Sequence, residues 1–183
     1  MKSGTKTLIF GVHQFIWHPL TVVLAWMDLY HEIPNWKTLV CIFIHDFGYF
    51  GLSDIDGEEG SHHPLFAGRF AHKYLDAPGS FYGDDGTYSA LCLYHSRFTA
   101  RNLGHKPSKL CWADKLSCKY DPWWLYLPRA ILSGEIIEYR KNAADFGACP
   151  ISFSNLQWYK WAQPRMIGKA YHRDDRPSYQ EGS

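Results

Sequence analysis

The sequence predicts an all-α fold. Apolar residues recur at helical spacing along most of its 183 residues, proline and asparagine stand at positions that favour helix starts, and no segment alternates as a strand would. Hydrophobic residues make up 46% and charged residues 20%, a composition typical of globular proteins. We therefore expect one helical domain over residues 1–173 and a disordered polar tail over residues 174–183.

The first half of the chain contains three predicted helices and a loop. Pro19 is expected at the first position of a helix over about 19–31, whose apolar residues lie three and four apart. Asn35 is a plausible N-cap for a helix over about 36–46, which is apolar on most sides and should be central. Residues 48–61 are rich in Gly, Asp, Glu and Ser, which predicts a loop, and a helix over about 64–76 follows.

The second half continues the helical pattern. A helix over about 86–96 follows a predicted turn over 83–86, and Pro107 begins another that extends to about residue 120. Asp121 is expected to cap the next helix, with Pro122 at its first position and its end near Gly134. Two more helices are predicted over about 134–145 and 154–171.

Charge and hydropathy exclude several classes of partner. The formal net charge is +1, which gives no reason to expect binding to a nucleic-acid duplex or electrostatic docking to a membrane. The apolar N-terminal segment is interrupted by His13, Gln14, His18, Pro19 and Asp28, so it predicts a pair of soluble helices rather than a membrane anchor.

The five cysteines are odd in number and scattered, with no CxxC pair. This pattern argues against a zinc ribbon or a thioredoxin-like site and favours a reducing cytoplasm, with Cys41 and Cys92 as buried free thiols. Aromatic residues reach 17%, and two late segments, 121–128 and 158–161, are especially rich in them. Core packing explains most of this, and a base-stacking wall or a homodimer interface would explain the rest.

The most informative motif is the adjacent pair His45-Asp46 at the end of an apolar helix. An imidazole and a carboxylate side by side can bind one metal ion, or two when the carboxylate bridges, although such a pair can also be a simple cap or ion pair. Further histidines and an aspartate occupy the ends or inner faces of other predicted helices: His18, His63, His95 and Asp114. A carboxylate in the apolar segment around Asp114 needs a cation or a hydrogen-bond network, so the set predicts a metal centre.

The order His18, His45-Asp46, His63, His95, Asp114 resembles the H…HD…H…H…D pattern of the HD superfamily over about residues 10–120. The resemblance implies that His18, His45, Asp46 and Asp114 bind a first metal ion. It implies that His63 and His95 complete a second site, with Asp46 as the bridge. Either His62 or His63 could be the ligand, and Pro64 favours His63. The cofactor would be one or two ions of Fe, Mn, Ni, Zn or Co.

The resemblance implies a metal-dependent phosphohydrolase or phosphodiesterase that acts on a nucleotide or another small phosphate ester through a metal-activated water. A mixed-valent diiron oxygenase and a non-catalytic nucleotide-binding HD module are the alternatives. The short interval between His95 and Asp114, and the segment Ala113-Asp114-Lys115, resemble HD-type dinucleoside tetraphosphatases, which favours hydrolysis.

Charged residues near these ligands are candidates for supporting roles. Glu58, Glu59 and Asp56, in an acidic segment between two ligand groups, could handle a proton or orient a ligand, or could form a solvated loop. Lys115 could pair with Asp114 or contact a substrate phosphate. The cations after His95 favour an anionic substrate as a group: Arg97, Arg101, Lys106 and Lys109. His13, His31, His72, His105 and His172 match no position of the family pattern, which favours structural or surface roles for them.

Overall fold

The computed structural model describes residues 1–53, 55, 58–145 and 147–174, and within these ranges the chain forms helices and no strand. The all-α prediction is therefore confirmed. Asp56 and nearly all of the predicted tail, residues 175–183, lie outside the described residues.

Eleven α-helices follow one another along the described residues. They are α1 Ser3–Phe10, α2 Trp17–Tyr30, α3 Trp36–Ile44, α4 Glu58–Ser61, α5 Pro64–Tyr74, α6 Tyr88–Leu93, α7 Arg97–Asn102, α8 Lys109–Leu116, α9 Trp123–Ser133, α10 Glu135–Asp145 and α11 Asn155–His172. Two short 3₁₀ segments, Phe47–Tyr49 and Ser117–Tyr120, extend α3 and α8. Among these helices, none is long and apolar enough to cross a membrane.

Several helix ends have the predicted local chemistry. The Asn35 side chain accepts a hydrogen bond from the Thr38 backbone N–H at 2.9 Å, which satisfies one of the unpaired donors at the start of α3. Pro64 occupies the first turn of α5, where its missing N–H costs nothing. Gly134 ends α9 with a φ of 91°, a left-handed conformation that glycine adopts without strain.

Several local predictions were wrong. Pro19 is the third residue of α2, not the first, and Pro122 precedes the first residue of α9. The predicted loop over 48–61 contains the helical turn α4, and the predicted helix over 86–96 stops at Leu93. The reason for the earlier stop is that Ser96 caps a separate helix, α7, by accepting a hydrogen bond from the Thr99 N–H. Asp121 does not cap α9, because its side chain pairs with Arg129 and accepts a hydrogen bond from the Trp17 indole instead.

Four groups of buried side chains hold the described helices together, and two of them are much larger than the others. The largest one joins α2, α3, α5, α6, α8 and the end of α11, with Val22, Ile42, Leu110 and Leu116 among its fully buried members. The second joins α9, α10 and the first half of α11. Each fully buried Leu, Ile or Val side chain contributes roughly 1.5–3 kcal/mol relative to exposure. Because α11 packs into both groups, it connects the C-terminal helices to the part of the chain that carries the candidate ligands.

Candidate metal centre

The six residues expected as ligands come together at one place in the fold. His18 lies in the first turn of α2, His45 and Asp46 directly follow α3, and His63 directly precedes α5. His95 follows α6 by one residue, and Asp114 lies within α8. The four histidines and Asp46 are buried, whereas the Asp114 side chain is 22% exposed.

One group of donor atoms surrounds Oδ2 of Asp46. This oxygen lies 3.1 Å from Nε2 of His45 and 3.3 Å from Nε2 of His18. Oδ1 of Asp114 lies 3.1 Å from the same His18 nitrogen, and the two histidine Nε2 atoms are 3.3 Å apart. Two imidazoles and two carboxylates therefore converge on a single point.

A second group surrounds the other oxygen of Asp46. Its Oδ1 lies 3.6 Å from Nε2 of His95 and 3.8 Å from Nε2 of His63. The two Nε2 atoms are only 2.9 Å apart. Asp46 thus presents one carboxylate oxygen to each pair of histidines.

Backbone hydrogen bonds fix the orientation of three of the imidazole rings. The Nδ1–H groups of His45, His63 and His95 each donate to the carbonyl oxygen three residues earlier, at 2.6, 2.7 and 2.5 Å. In the neutral ring this leaves Nε2 without a proton, as a metal ligand requires. The Nε2 atoms of His63 and His95 can then face each other at 2.9 Å only with a proton or a metal ion between them.

The spacing and chemistry of these atoms fit a divalent metal ion. Nitrogen and oxygen atoms bound to one ion at roughly 2.1 Å lie about 3.0–3.5 Å from each other. The separations within the first group are close to this range, the longest being 3.9 Å between Nε2 of His45 and Oδ1 of Asp114. Imidazole and carboxylate together suit Fe, Mn, Ni, Zn or Co. The buried His and Asp groups could therefore hold a metal ion.

The electrostatics of the cluster also favour a cation. Burial alone would raise the pKa of Asp46 and Asp114, but the surrounding histidines hold both pKa values well below their ordinary range. Burial lowers the pKa of His45, and the two aspartates outweigh it, raising that pKa well above its usual value. For His63, burial and then His95 lower the pKa to about 3, so this ring is uncharged at pH 7 and its Nε2 lone pair is available to a metal ion.

His13, which the sequence assigned to a structural or surface role, contacts the cluster directly. Its Nδ1 lies 2.8 Å from Oδ2 of Asp46. Burial lowers the pKa of His13, but Asp46 and then Glu135 outweigh that effect and raise the pKa to about 9. The sequence feature that could have identified His13 is its position in a mostly apolar segment, in the turn between α1 and α2.

A cavity of about 610 Å³ opens next to the centre and reaches α11. Five of the expected ligands line it: His18, Asp46, His63, His95 and Asp114. Five cationic side chains also line it: Arg97, Arg101, Lys115, Arg165 and Lys169. A negatively charged molecule that entered this cavity would meet the candidate metal centre and these cations together.

The other sequence-predicted residues lie elsewhere. Lys106 and Lys109 do not line the cavity, and Lys109 Nζ instead contacts Glu32 at 3.0 Å. Glu58 and Glu59 are exposed outside it, and Glu59 accepts a hydrogen bond from the Ser53 N–H.

The two candidate histidines at the start of α5 differ in environment. His62 is exposed, whereas His63 is buried and turned toward Asp46. Of the two, His63 is therefore the one in position to bind a metal ion.

Comparison of the chain with known protein families, with characterised proteins and with solved structures found no match in any of the three.

Proposed function

We propose that the protein is a metal-dependent phosphohydrolase or phosphodiesterase of the HD type, acting on a nucleotide or another small phosphate ester. The observation that carries the proposal is the two-sided arrangement around Asp46, with a histidine pair at each oxygen, beside a cavity lined by cations.

The resemblance to the HD pattern supports the same proposal. Its six positions are spread along the sequence from His18 to Asp114 and belong to different helices and turns. Buried imidazole and carboxylate groups that meet from separate elements with their Nε2 and Oδ atoms facing one another are typical of a metal centre. Their convergence here is what an HD-type binuclear site requires.

In this proposal, the six ligands bind the metal ions and the nearby cations bind the phosphoryl group. Two divalent ions held by the six ligands would supply a nucleophilic water at neutral pH and neutralise charge on the phosphoryl group. Arg97 and Arg101 at α7, and Lys115 next to Asp114, would bind the remaining phosphoryl oxygens by charge-assisted hydrogen bonds. Burial of the histidines keeps bulk water from competing for them.

Aromatic side chains favour a nucleotide over a simpler phosphate ester. Trp161 on α11 lines the same cavity as the cations and is partly exposed, whereas its neighbours Trp158 and Tyr159 are packed in the core. Flat aromatic rings can stack on a nucleobase, a contact worth about 1–3 kcal/mol per base in single-strand binding proteins. A phosphate at the cations and a base near Trp161 would then occupy the same cavity.

The test is phosphate or nucleotide release by protein loaded with Mn²⁺, Co²⁺ or Fe²⁺, assayed under strict anaerobiosis with nucleotides, cyclic nucleotides and dinucleoside polyphosphates. Turnover without oxygen that is lost in Asp46→Ala supports the proposal. His72→Ala is the matched control, because His72 also faces a carboxylate, Asp76 at 3.3 Å, but does not line the cavity.

Two results would contradict the proposal in different ways. Turnover that requires oxygen, together with a mixed-valent diiron signal, would favour the oxygenase. Tight nucleotide binding without turnover by any metal-loaded form would favour the non-catalytic module.

A further inference from the structure

We propose that His13, Tyr139 and Glu135 form a positioning chain that fixes the orientation of the Asp46 carboxylate between the two histidine pairs. This inference rests on the proposed metal centre. It assigns a role to residues that the HD pattern does not include, two of which lie in α10, beyond the region of resemblance.

The proposed metal centre requires one particular orientation of the Asp46 carboxylate. Its two oxygens must face different histidine pairs, so a rotation of the carboxylate would misplace both at once. Among the contacts that the structure gives Oδ2, the shortest is the one to His13 Nδ1, at 2.8 Å, compared with 3.1 Å to His45 and 3.3 Å to His18. His13 is therefore well placed to hold this oxygen.

The other side of the His13 ring is held as well. Its Nε2 lies 3.3 Å from the Tyr139 hydroxyl, which donates to Oε1 of Glu135 at 3.2 Å. His13 also packs against Tyr49, with ring centroids 5.2 Å apart, and Tyr49 stacks on His63 at 4.1 Å. These contacts restrict rotation of the imidazole.

Glu135 is a rigid end point for the chain. It is 2% exposed, and its carboxylate accepts hydrogen bonds from the Thr7 and Ser133 hydroxyls and from the Val12 backbone N–H, in addition to Tyr139. A buried carboxylate with four donors has little freedom to move. A side chain at Gly11 would meet Oε2 of Glu135 at 2.4 Å, so the backbone before His13 packs directly against this anchor.

The test compares variants that cut the chain at different points. His13→Leu removes both polar contacts of the ring. His13→Asn keeps a donor at the position of Nδ1 and loses the contact to Tyr139, whereas Tyr139→Phe removes only the hydroxyl. Tyr120→Phe is the control, since its hydroxyl also donates to a carboxylate, that of Asp28 at 2.8 Å, outside the cavity.

The measured quantity is the affinity for Co²⁺, obtained by chelator competition and followed by the visible absorption of the bound ion. Groups that orient metal ligands typically contribute 10- to 100-fold to metal affinity. We expect a loss of about that size in His13→Leu, recovery of most of it in His13→Asn, a smaller loss in Tyr139→Phe, and no change in Tyr120→Phe.

The outcomes separate this inference from the proposed function. Co²⁺ affinity in His13→Leu within about twofold of wild type, or His13→Asn no better than His13→Leu, overturns the positioning chain alone. Normal Co²⁺ binding without phosphoester turnover overturns the proposed function alone. Absence of Co²⁺ binding by the wild-type protein overturns both. If His13→Leu does not fold, the other two variants decide. The inference is overturned when Tyr139→Phe binds Co²⁺ as tightly as wild type and His13→Asn binds it weakly.

Discussion

Divalent metal should stabilise the protein strongly, and Asp46→Ala should abolish the effect. The Asp46 carboxylate lies within 3.8 Å of Nε2 of all four histidines, so its loss disrupts both donor groups. A ligand at 1,000 times its Kd stabilises the folded state by about 4 kcal/mol. For a chain of this size, each kcal/mol raises the melting temperature by roughly 2–4 °C, so the expected shift is about 8–16 °C.

The assay is thermal unfolding of chelator-treated protein with and without Co²⁺ or Mn²⁺. Comparing the shift within each variant, rather than absolute melting temperatures, removes the effect of the side-chain deletion itself. His72→Ala should retain the wild-type shift. A shift in Asp46→Ala equal to that of wild type would refute the reasoning, because stabilisation would then come from a site that does not involve this carboxylate.

Two further predictions concern the scaffold and its pH dependence. A Cβ at Gly48 would lie 1.9 Å from the carbonyl oxygen of His63, so Gly48→Ala should lower the free energy of unfolding by roughly 1–3 kcal/mol and weaken metal binding. Gly168→Ala is the control and should not destabilise the protein, because a Cβ there would meet nothing within 4 Å. Chemical denaturation measures the stability of both variants, and Co²⁺ titration measures their metal binding. The hydrogen bond from Lys119 lowers the pKa of Asp28 from its ordinary 3.8, so this carboxylate contributes stability above that pH that is lost as the pH falls through the lower, folded-state pKa. Asp28→Asn should therefore cost about 1 kcal/mol at pH 6 and progressively less below pH 3.8, and a stability difference that does not change with pH would contradict this.

Local sequence patterns were sufficient to predict most of the helices. Asn35 and Pro64 mark helix starts because capping chemistry depends on residues only a few positions apart. One prediction failed because a local cap, Ser96, starts a separate helix, and another failed because a distant partner takes the capping side chain. Asp121 has the sequence of an N-cap, yet its carboxylate pairs with Arg129, within the helix that it was expected to cap, and accepts a hydrogen bond from the indole of the distant Trp17.

The candidate site was also predicted only in part. The resemblance to the HD pattern predicted which side chains should meet, and the apolar segments around them supported it, because charged groups are seldom buried without a partner. His13 could not be identified in this way, since its role depends on Glu135, which follows it by more than a hundred residues and reaches it only in the folded chain. Similarly, nothing in the sequence near Lys109 shows that its ammonium group contacts Glu32 instead of the cavity.

Metal content is the most direct test of the central claim that Asp46 joins two groups of histidines into one metal centre. Protein purified without chelator would be analysed by inductively coupled plasma mass spectrometry, with wild type, Asp46→Ala and His72→Ala treated identically. We expect close to two divalent ions per chain for wild type and for His72→Ala, and loss of most of the metal in Asp46→Ala. Full occupancy in Asp46→Ala, or no bound metal in the wild-type protein, would contradict it.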